Sequence, residues 1–407
     1  MAAAPHPPPD LMPELIGEIL VRFPPDDPAC LVRASMVCKP WRRLLCDPAF
    51  RRRYLAFHRA PPLLGFLHNC YTDFPGYHDR PRARFVSTTT PCPLPVHSFG
   101  DWDFGWRVLD CRHGRVLLMA TGVIPVVWDP TTGEQNRLPE PPFPRYKVYT
   151  AAVLCADVHG CDHLDCHGGP FLVVLVGFNI EAGVLQSHLY SSEASTWSSS
   201  AHQGPRFLTV PKPSVLIGDD IYFILLFRPS VTILKVDLGK NHLSTINQPA
   251  EYHLSIINRR EEQHDFEWKK VALMAMEDGS LGFAGILGSR LCLWSRNVNP
   301  ELVGGWVQCR VLELQTLIPF TFRLRAVGSV EGSGIIFLAS DYGVFSLELK
   351  SSVVRKVDEP LGDFAVFPFM RFYTPGIVLV FSLYSNIIMD CAACLHLLSS
   401  NCRHIYL

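Results

Sequence analysis

Gly114-Arg-Val-Leu-Leu-Met-Ala120, followed shortly by Val127-Trp-Asp-Pro-Thr-Thr-Gly133, sets the pattern for most of this 407-residue chain. A glycine opens a short apolar run, and a second run follows that ends in a large side chain and a polar turn, the marks of strands joined by tight turns. The same order recurs. Glycine-led runs stand at Gly65 (GFLHN), Gly114 (GRVLLMA), Gly169 (GPFLVVLVG), Gly218 (GDDIYFILL), Gly279 (GSLGFAGI) and Gly334 (GSGIIFLAS), roughly 50 to 60 residues apart. The second run is His188-Leu-Tyr-Ser-Ser192, Leu234-Lys-Val-Asp-Leu-Gly239, Cys292-Leu-Trp-Ser295 and Phe345-Ser-Leu-Glu-Leu-Lys350 in the later copies. A unit of this length holds about four strands, the size of a kelch-like β-propeller blade, and the openings predict about six blades over residues 61–375. Two β-sandwiches would also space strands evenly, but recurrence of the internal order favours the propeller. Long loops such as Asp157–Gly169 and Asn258–Glu267 are expected at its rims.

Residues 10–60 have a different period, which makes the expected class α plus all-β. Met12, Leu15, Ile16, Ile19, Leu20 and Phe23 follow the three-and-four spacing of an amphipathic helix, stopped by Pro24-Pro25. Asp27-Pro28 and Asp47-Pro48 each offer a cap followed by a proline suited to the first helical turn. Between them, Pro40 is expected to interrupt the second helix, with a short turn through Trp41, Leu44 and Leu45. A helical piece this small cannot readily bury so much apolar surface alone, so it calls for a partner, or for packing of Leu15, Ile19 and Leu20 against the propeller. Residues 1–9 are expected to be disordered. Residues 376–407 are expected to form an apolar extension, adding a closing strand or trailing from the fold, and Asp390 in its middle argues against a membrane anchor.

Composition narrows the function classes. The 48% hydrophobic and 18% charged content excludes a disordered chain, and 37 basic against 38 acidic side chains provide no field for a polyanion. Residues 1–60 hold nine basic and six acidic side chains, leaving 28 against 32 in the rest. Neither part is charged enough to imply nucleic acid, and Arg51-Arg-Arg53 reads as a solvated helix face. The 14 cysteines sit mostly inside apolar runs, as buried thiols in a reducing compartment. The N-terminus lacks the features of a secretory signal, so cytosol or nucleus is expected.

The segment Leu11-Met-Pro-Glu-Leu-Ile-Gly-Glu-Ile-Leu20, Phe23-Pro-Pro25, Leu31-Val-Arg-Ala-Ser-Met-Val-Cys-Lys-Pro-Trp-Arg-Arg-Leu44 and Asp47-Pro-Ala-Phe50 resembles the F-box. Through Cys111-Arg-His-Gly-Arg-Val-Leu-Leu118 and Trp128-Asp-Pro-Thr-Thr-Gly-Glu134, the whole chain looks like plant F-box proteins with a C-terminal β-propeller-like associated region, particularly those of grasses. The resemblance implies a substrate-receptor subunit of an SCF-type cullin-RING ubiquitin ligase. Its F-box would bind the S-phase-kinase-associated adaptor subunit, cullin and RING protein would join indirectly, and the propeller would hold an unknown protein target. By position, the adaptor-facing residues would be Leu11, Leu15, Ile19, Leu20, Leu31, Val37, Cys38, Trp41 and Leu44. Such proteins commonly have Leu-Pro at the start of the first helix; here Met12 takes that proline's place and Pro13 follows.

The alternative is a propeller enzyme or sugar-binding protein whose helical N-terminus is incidental. No Walker-type loop, Gly-x-Ser-x-Gly elbow or His-Glu-x-x-His helix occurs, and the glycines of Gly282–Gly288 are misplaced for a dinucleotide. No catalytic residue and no cofactor is expected. The densest chemistry is in Asp157–Gly169, where Cys161, His163, Cys166 and His167 offer zinc-preferring donors. Their spacing lacks the paired knuckles of a structural zinc site, so the expectation is a polar loop without metal. Trp102, Trp106, Trp128, Trp197, Trp294 and Trp306 are candidates for recognition where exposed and for blade core where buried.

Overall fold

The computed structural model describes residues 12–71, 81–88, 105–120, 124–142, 150–157, 160–179, 182–203, 207–227, 230–240, 242–257, 269–296, 305–319, 323–360 and 365–375. The expectations for residues 1–9, Leu11, Trp102, Asn258–Glu267 and 376–407 lie outside these. Of the described residues, 12–62 and 371–375 belong to one compact unit, and 63–88 and 105–370 to a second.

The first unit is helical: α1 (Pro13–Leu20), α2 (Pro28–Val37), α3 (Lys39–Leu45) and α4 (Pro48–His58). Every one has a proline in its first turn, where the missing N–H has no helical partner to lose. Pro40 therefore opens α3, where the sequence suggested only an interruption and a short turn. Asp47 caps α4, its carboxylate accepting from Ala49 N at 2.8 Å. Asp27 occupies the equivalent place before α2 without capping it, and accepts instead from Cys30 Sγ at 3.0 Å and Arg33 Nη2 at 3.4 Å. Leu20, Val21, Leu31, Val32, Leu45, Phe50, Tyr54 and Leu55 are buried. Tyr54 donates to Phe23 O at 3.0 Å and meets the Phe372 ring edge-on, so the segment 371–375 returns to this unit. Cys46 Sγ donating to Pro375 O at 3.2 Å holds it there.

The second unit consists of six antiparallel sheets. In chain order the strands are β1 (Leu63–Tyr71) and β2 (Pro81–Ser87); then β3 (Trp106–Arg112), β4 (Arg115–Ala120), β5 (Pro125–Trp128) and β6 (Gln135–Arg137) of the first blade. β7 (Thr150–Cys155), β8 (Phe171–Asn179), β9 (Val184–Ser191) and β10 (Thr196–Gln203) make the second. β11 (Leu208–Thr209), β12 (Val215–Ile217), β13 (Asp220–Phe227), β14 (Ser230–Asp237) and β15 (His242–Asn247) make the third, followed by helix α5 (Ala250–Ile257). β16 (Val271–Ala275), β17 (Leu281–Leu287), β18 (Arg290–Arg296) and β19 (Trp306–Glu313) make the fourth. β20 (Arg325–Val330), β21 (Ile335–Ser340), β22 (Gly343–Glu348) and β23 (Val354–Asp358) make the fifth. The last strand, β24 (Val366–Met370), pairs with β1, so the sixth blade joins strands from both ends of the unit. β24 also lies beside β3 and β20, which closes the ring as a six-bladed β-propeller.

The core sits between blades. Along β13, Ile221, Phe223 and Leu225 pack towards the second blade, whereas Tyr222, Ile224 and Leu226 pack towards the fourth. The period-two alternation is intact, but both faces are apolar because each blade is covered on both sides. That is why the strands read as continuous apolar runs. Four of the glycines that mark the repeat, Gly114, Gly218, Gly279 and Gly334, have φ between 58° and 77° in the turn entering each blade's second paired strand. Left-handed backbone favours glycine there, so the glycine marks the second strand and each blade begins one strand earlier. Gly65 lies inside β1 and Gly169 in the loop before β8.

Candidate functional site

Met12, at the N-cap of α1, and Leu15 and Ile19 within it fall on one face, and the protein leaves them 61%, 46% and 48% exposed. Val37, at the end of α2, is 60% exposed, while Cys38, Trp41 and Leu44 are half-buried. Leu20 and Leu31 are fully buried. This corrects their assignment to the adaptor-facing set: Leu20 projects from the opposite side of α1 and Leu31 lies inside α2, so both build the helical core. The cluster Arg51–Arg53 is tied in as well, since Arg53 pairs with Glu18 and joins α4 to α1. The helical unit thus has its own core and carries an apolar strip exposed to solvent.

Near the propeller axis the inner strands carry charge. Arg112, at the end of β3, pairs with Asp110 at 2.9 Å and with Glu331 at 2.6 Å, and donates to Ser214 O at 3.1 Å. Asp110 accepts from Val153 N at 2.9 Å, and Glu331 accepts from Leu216 N at 3.2 Å. One guanidinium thus gathers inner segments of the first, second, third and fifth blades. Burial pushes the Asp110 carboxyl up to about 6 despite Arg112, whereas at Glu331 the Arg112 guanidinium outweighs burial and holds the carboxyl low. Arg112 lies in a stretch that resembles plant F-box proteins, but no local signal couples it to a glutamate 219 positions away.

The Cys/His loop leaves β7 and reaches β8 through a short 3-10 turn, Cys166–Gly168. Cys155 of β7, Cys161, His163 and Cys166 bring one donor atom each to within 4.8 Å of one another. Cys166 Sγ is 3.8 Å from His163 Nδ1, and Cys161 Sγ accepts from His163 N at 3.3 Å. The His163 ring stacks on His113, centroids 4.4 Å apart and planes 6° from parallel. His167 stands outside the cluster, paired with Asp165 at 3.1 Å. Cys155 takes the place expected for His167. The sequence hid Cys155 because it ends an apolar strand and reads as a core thiol.

Trp128 and Trp294 are buried in the blades. Trp197 donates from Nε1 to Pro139 O at 3.1 Å, and Trp306 donates to Asn247 O at 2.8 Å. Each is an outer-strand tryptophan bonded to backbone of the preceding blade, which makes it a staple between blades.

Comparison with known proteins accords with this architecture. Residues 107–377 match the family model described as F-box protein AT5G49610-like, beta-propeller, and residues 9–53 match the F-box domain. The first match covers more than half of the chain, which therefore belongs to the family of AT5G49610-like F-box proteins with a β-propeller. F-box proteins are in general non-catalytic, and neither matching family is a catalytic one. The chain is 28% identical over 194 residues to the F-box protein At5g03970 of Arabidopsis thaliana, covering 45% of this chain and 44% of that protein's length. Among solved structures it is similar to a functionally unknown protein from Desulfotomaculum acetoxidans DSM 771, at 10% identity and TM-score 0.39, over 75% of this chain and 89% of that one. It is also similar to TolB from Acinetobacter baumannii, at 11% identity and TM-score 0.35, over 60% and 52% of the two chains.

Proposed function

We propose that this protein is the substrate receptor of an SCF-type cullin-RING ubiquitin ligase in the cytosol or nucleus of a plant, of the kind carried by grasses. The F-box binds the S-phase-kinase-associated adaptor, cullin and RING protein follow through that adaptor, and the propeller holds the target. No bond is made or broken on this chain; holding the target raises the effective concentration of its lysines at the ubiquitin thioester. The observation that carries the reading is the exposed strip of Leu15, Ile19 and Val37 on a helical unit that already has a core. Leu15 and Ile19 supply the apolar contact, with Val37, Cys38, Trp41 and Leu44 continuing it.

The test is co-purification of the full chain with the adaptor. Burying the exposed half of two such side chains contributes on the order of 1.5–3 kcal/mol, and the introduced carboxylates must also be desolvated, so Leu15→Asp with Ile19→Asp lowers affinity by roughly a hundredfold. Because both residues are solvent-exposed, the melting profile of the double variant stays close to that of the parent. Retention of the adaptor by the double variant, or failure of the parent chain to retain it, would overturn the assignment.

A further inference from the structure

We propose that Cys155, Cys161, His163 and Cys166 form a structural zinc site that fixes the loop between β7 and β8 of the second blade. The donor set is three thiols and one imidazole, the chemistry zinc takes in closed tetrahedral sites. With Zn–S near 2.3 Å and Zn–N near 2.0 Å, tetrahedral donors lie about 3.5–3.8 Å apart. All four atoms already fall within 4.8 Å of one another, and the Cys166 Sγ to His163 Nδ1 distance is 3.8 Å. A sub-ångström to ångström contraction completes the polyhedron. Cys155 is anchored in a strand, and the other three ligands come from the loop, so the ion ties the loop to the blade.

Arg115 points to the same site independently. It is 2% exposed, and its Nη2 donates to Cys166 O and to Gly169 O, the latter at 2.6 Å. Its Nη1 is buried without a hydrogen-bond partner, and Asp129 is a carboxylate near enough for its charge to act on it. A buried cation of this kind is costly unless an opposite charge lies near it. Three thiolates, one neutral imidazole and Zn²⁺ carry a net charge of about −1 and sit against the turn that Arg115 holds. Binding releases the three thiol protons to solvent, and the complex offsets the guanidinium. Packing does little of this work, because no described residue between 156 and 170 is buried. Four protein ligands leave no open position, so the ion orders the loop and takes no substrate.

Elemental analysis of the full chain, purified with its adaptor and without chelator, is expected to give about one zinc per chain, falling to below about 0.1 in Cys161→Ser with Cys166→Ser. His167→Ala keeps the metal. Should the double variant fail to fold, mercurial titration of the parent chain is expected to release zinc as thiolates are blocked, and replacement by Co²⁺ to give the intense visible absorption of tetrahedral thiolate coordination. Zinc-free parent protein that takes up none when Zn²⁺ is added would overturn the proposal. So would full zinc content in the double variant, or a disulfide within the Cys155, Cys161 and Cys166 set in freshly prepared protein.

Discussion

His68 and His188 are each 1% exposed, and burial pushes both imidazoles down to about 4 from the ordinary 6.5. At His68 the nearby Arg84 acts in the same sense, and Asp358 opposes it without prevailing. Between pH 6.5 and 4 the unfolded chain binds protons that the folded chain refuses. The stability these residues contribute is therefore present above pH 6.5 and is lost as the pH falls towards 4. Between pH 7 and 5 each loses on the order of 1–2 kcal/mol. Asp110, pushed up to about 6, works oppositely: its contribution is present at low pH and is lost as the pH rises through 6. A single pH profile sums the opposing effects, and a variant separates them. Urea midpoints at pH 7 and 5 are expected to show a smaller acid loss in His188→Gln than in the parent, by about 1–2 kcal/mol. An equal loss in both proteins would show that His188 titrates normally in the fold.

Trp197 and Trp306 hold equivalent places on β10 and β19, the outer strands of the second and fourth blades. Their Nε1 bonds to Pro139 O and Asn247 O fasten each blade to the one before it. Replacement by phenylalanine keeps most of the ring and removes the donor. Trp197→Phe and Trp306→Phe are each expected to cost about 1 kcal/mol in urea unfolding, and the pair to add, since the third blade lies between them. A neutral result for both would reduce the bonds to incidental contacts. Helix α5 is a different case. Tyr252 and Ile256, one turn apart, are fully buried, and Tyr252 packs edge-on against Phe283 and Trp294. It fits because residue 285 is glycine: a Cβ there would come within 2.6 Å of the Tyr252 ring. The blade pattern carries no sign of this helix, because its two anchors resemble any other pair of apolar residues in a connection.

At the scale of the propeller, stability depends on closure. β24 pairs with β1 in the register Val366 to His68 and Phe367 to Leu67, and Val366, Phe367 and Phe369 are at most 1% exposed. Without that strand the sixth blade would show an unpaired edge, and the inner strands β3 and β20 would each lose a neighbour. Phe367→Asp buries a carboxylate in the seam and is expected to cost more than about 4 kcal/mol. A chain ending after Glu359 is expected to aggregate or to elute far above the monomer size. A cooperative, monomeric truncated chain would show that closure contributes little.

Much of this was readable from residue order. The period of roughly 50 to 60 residues gave the blade number, because each blade buries both faces and four of the six enter their second strand through a left-handed glycine. The prolines and apolar spacing of residues 10–60 gave the helical unit, because helix starts are local events. Boundaries were less legible: in four blades the glycine marks the turn into the second strand, so the blade begins one strand before its glycine-led run. The sequence also named three of the four clustered donors, Cys161, His163 and Cys166, which sit six residues apart or fewer. Proximity that arises from the ring itself was not legible. Cys155 joins those donors only when β7 is set beside its loop, Arg112 meets Glu331 only when the blades surround one axis, and β24 finds β1 only when the ring shuts. Local residue order encodes turns, caps and periods through backbone sterics and burial; long-range pairings depend on how the elements pack, and no local pattern records that.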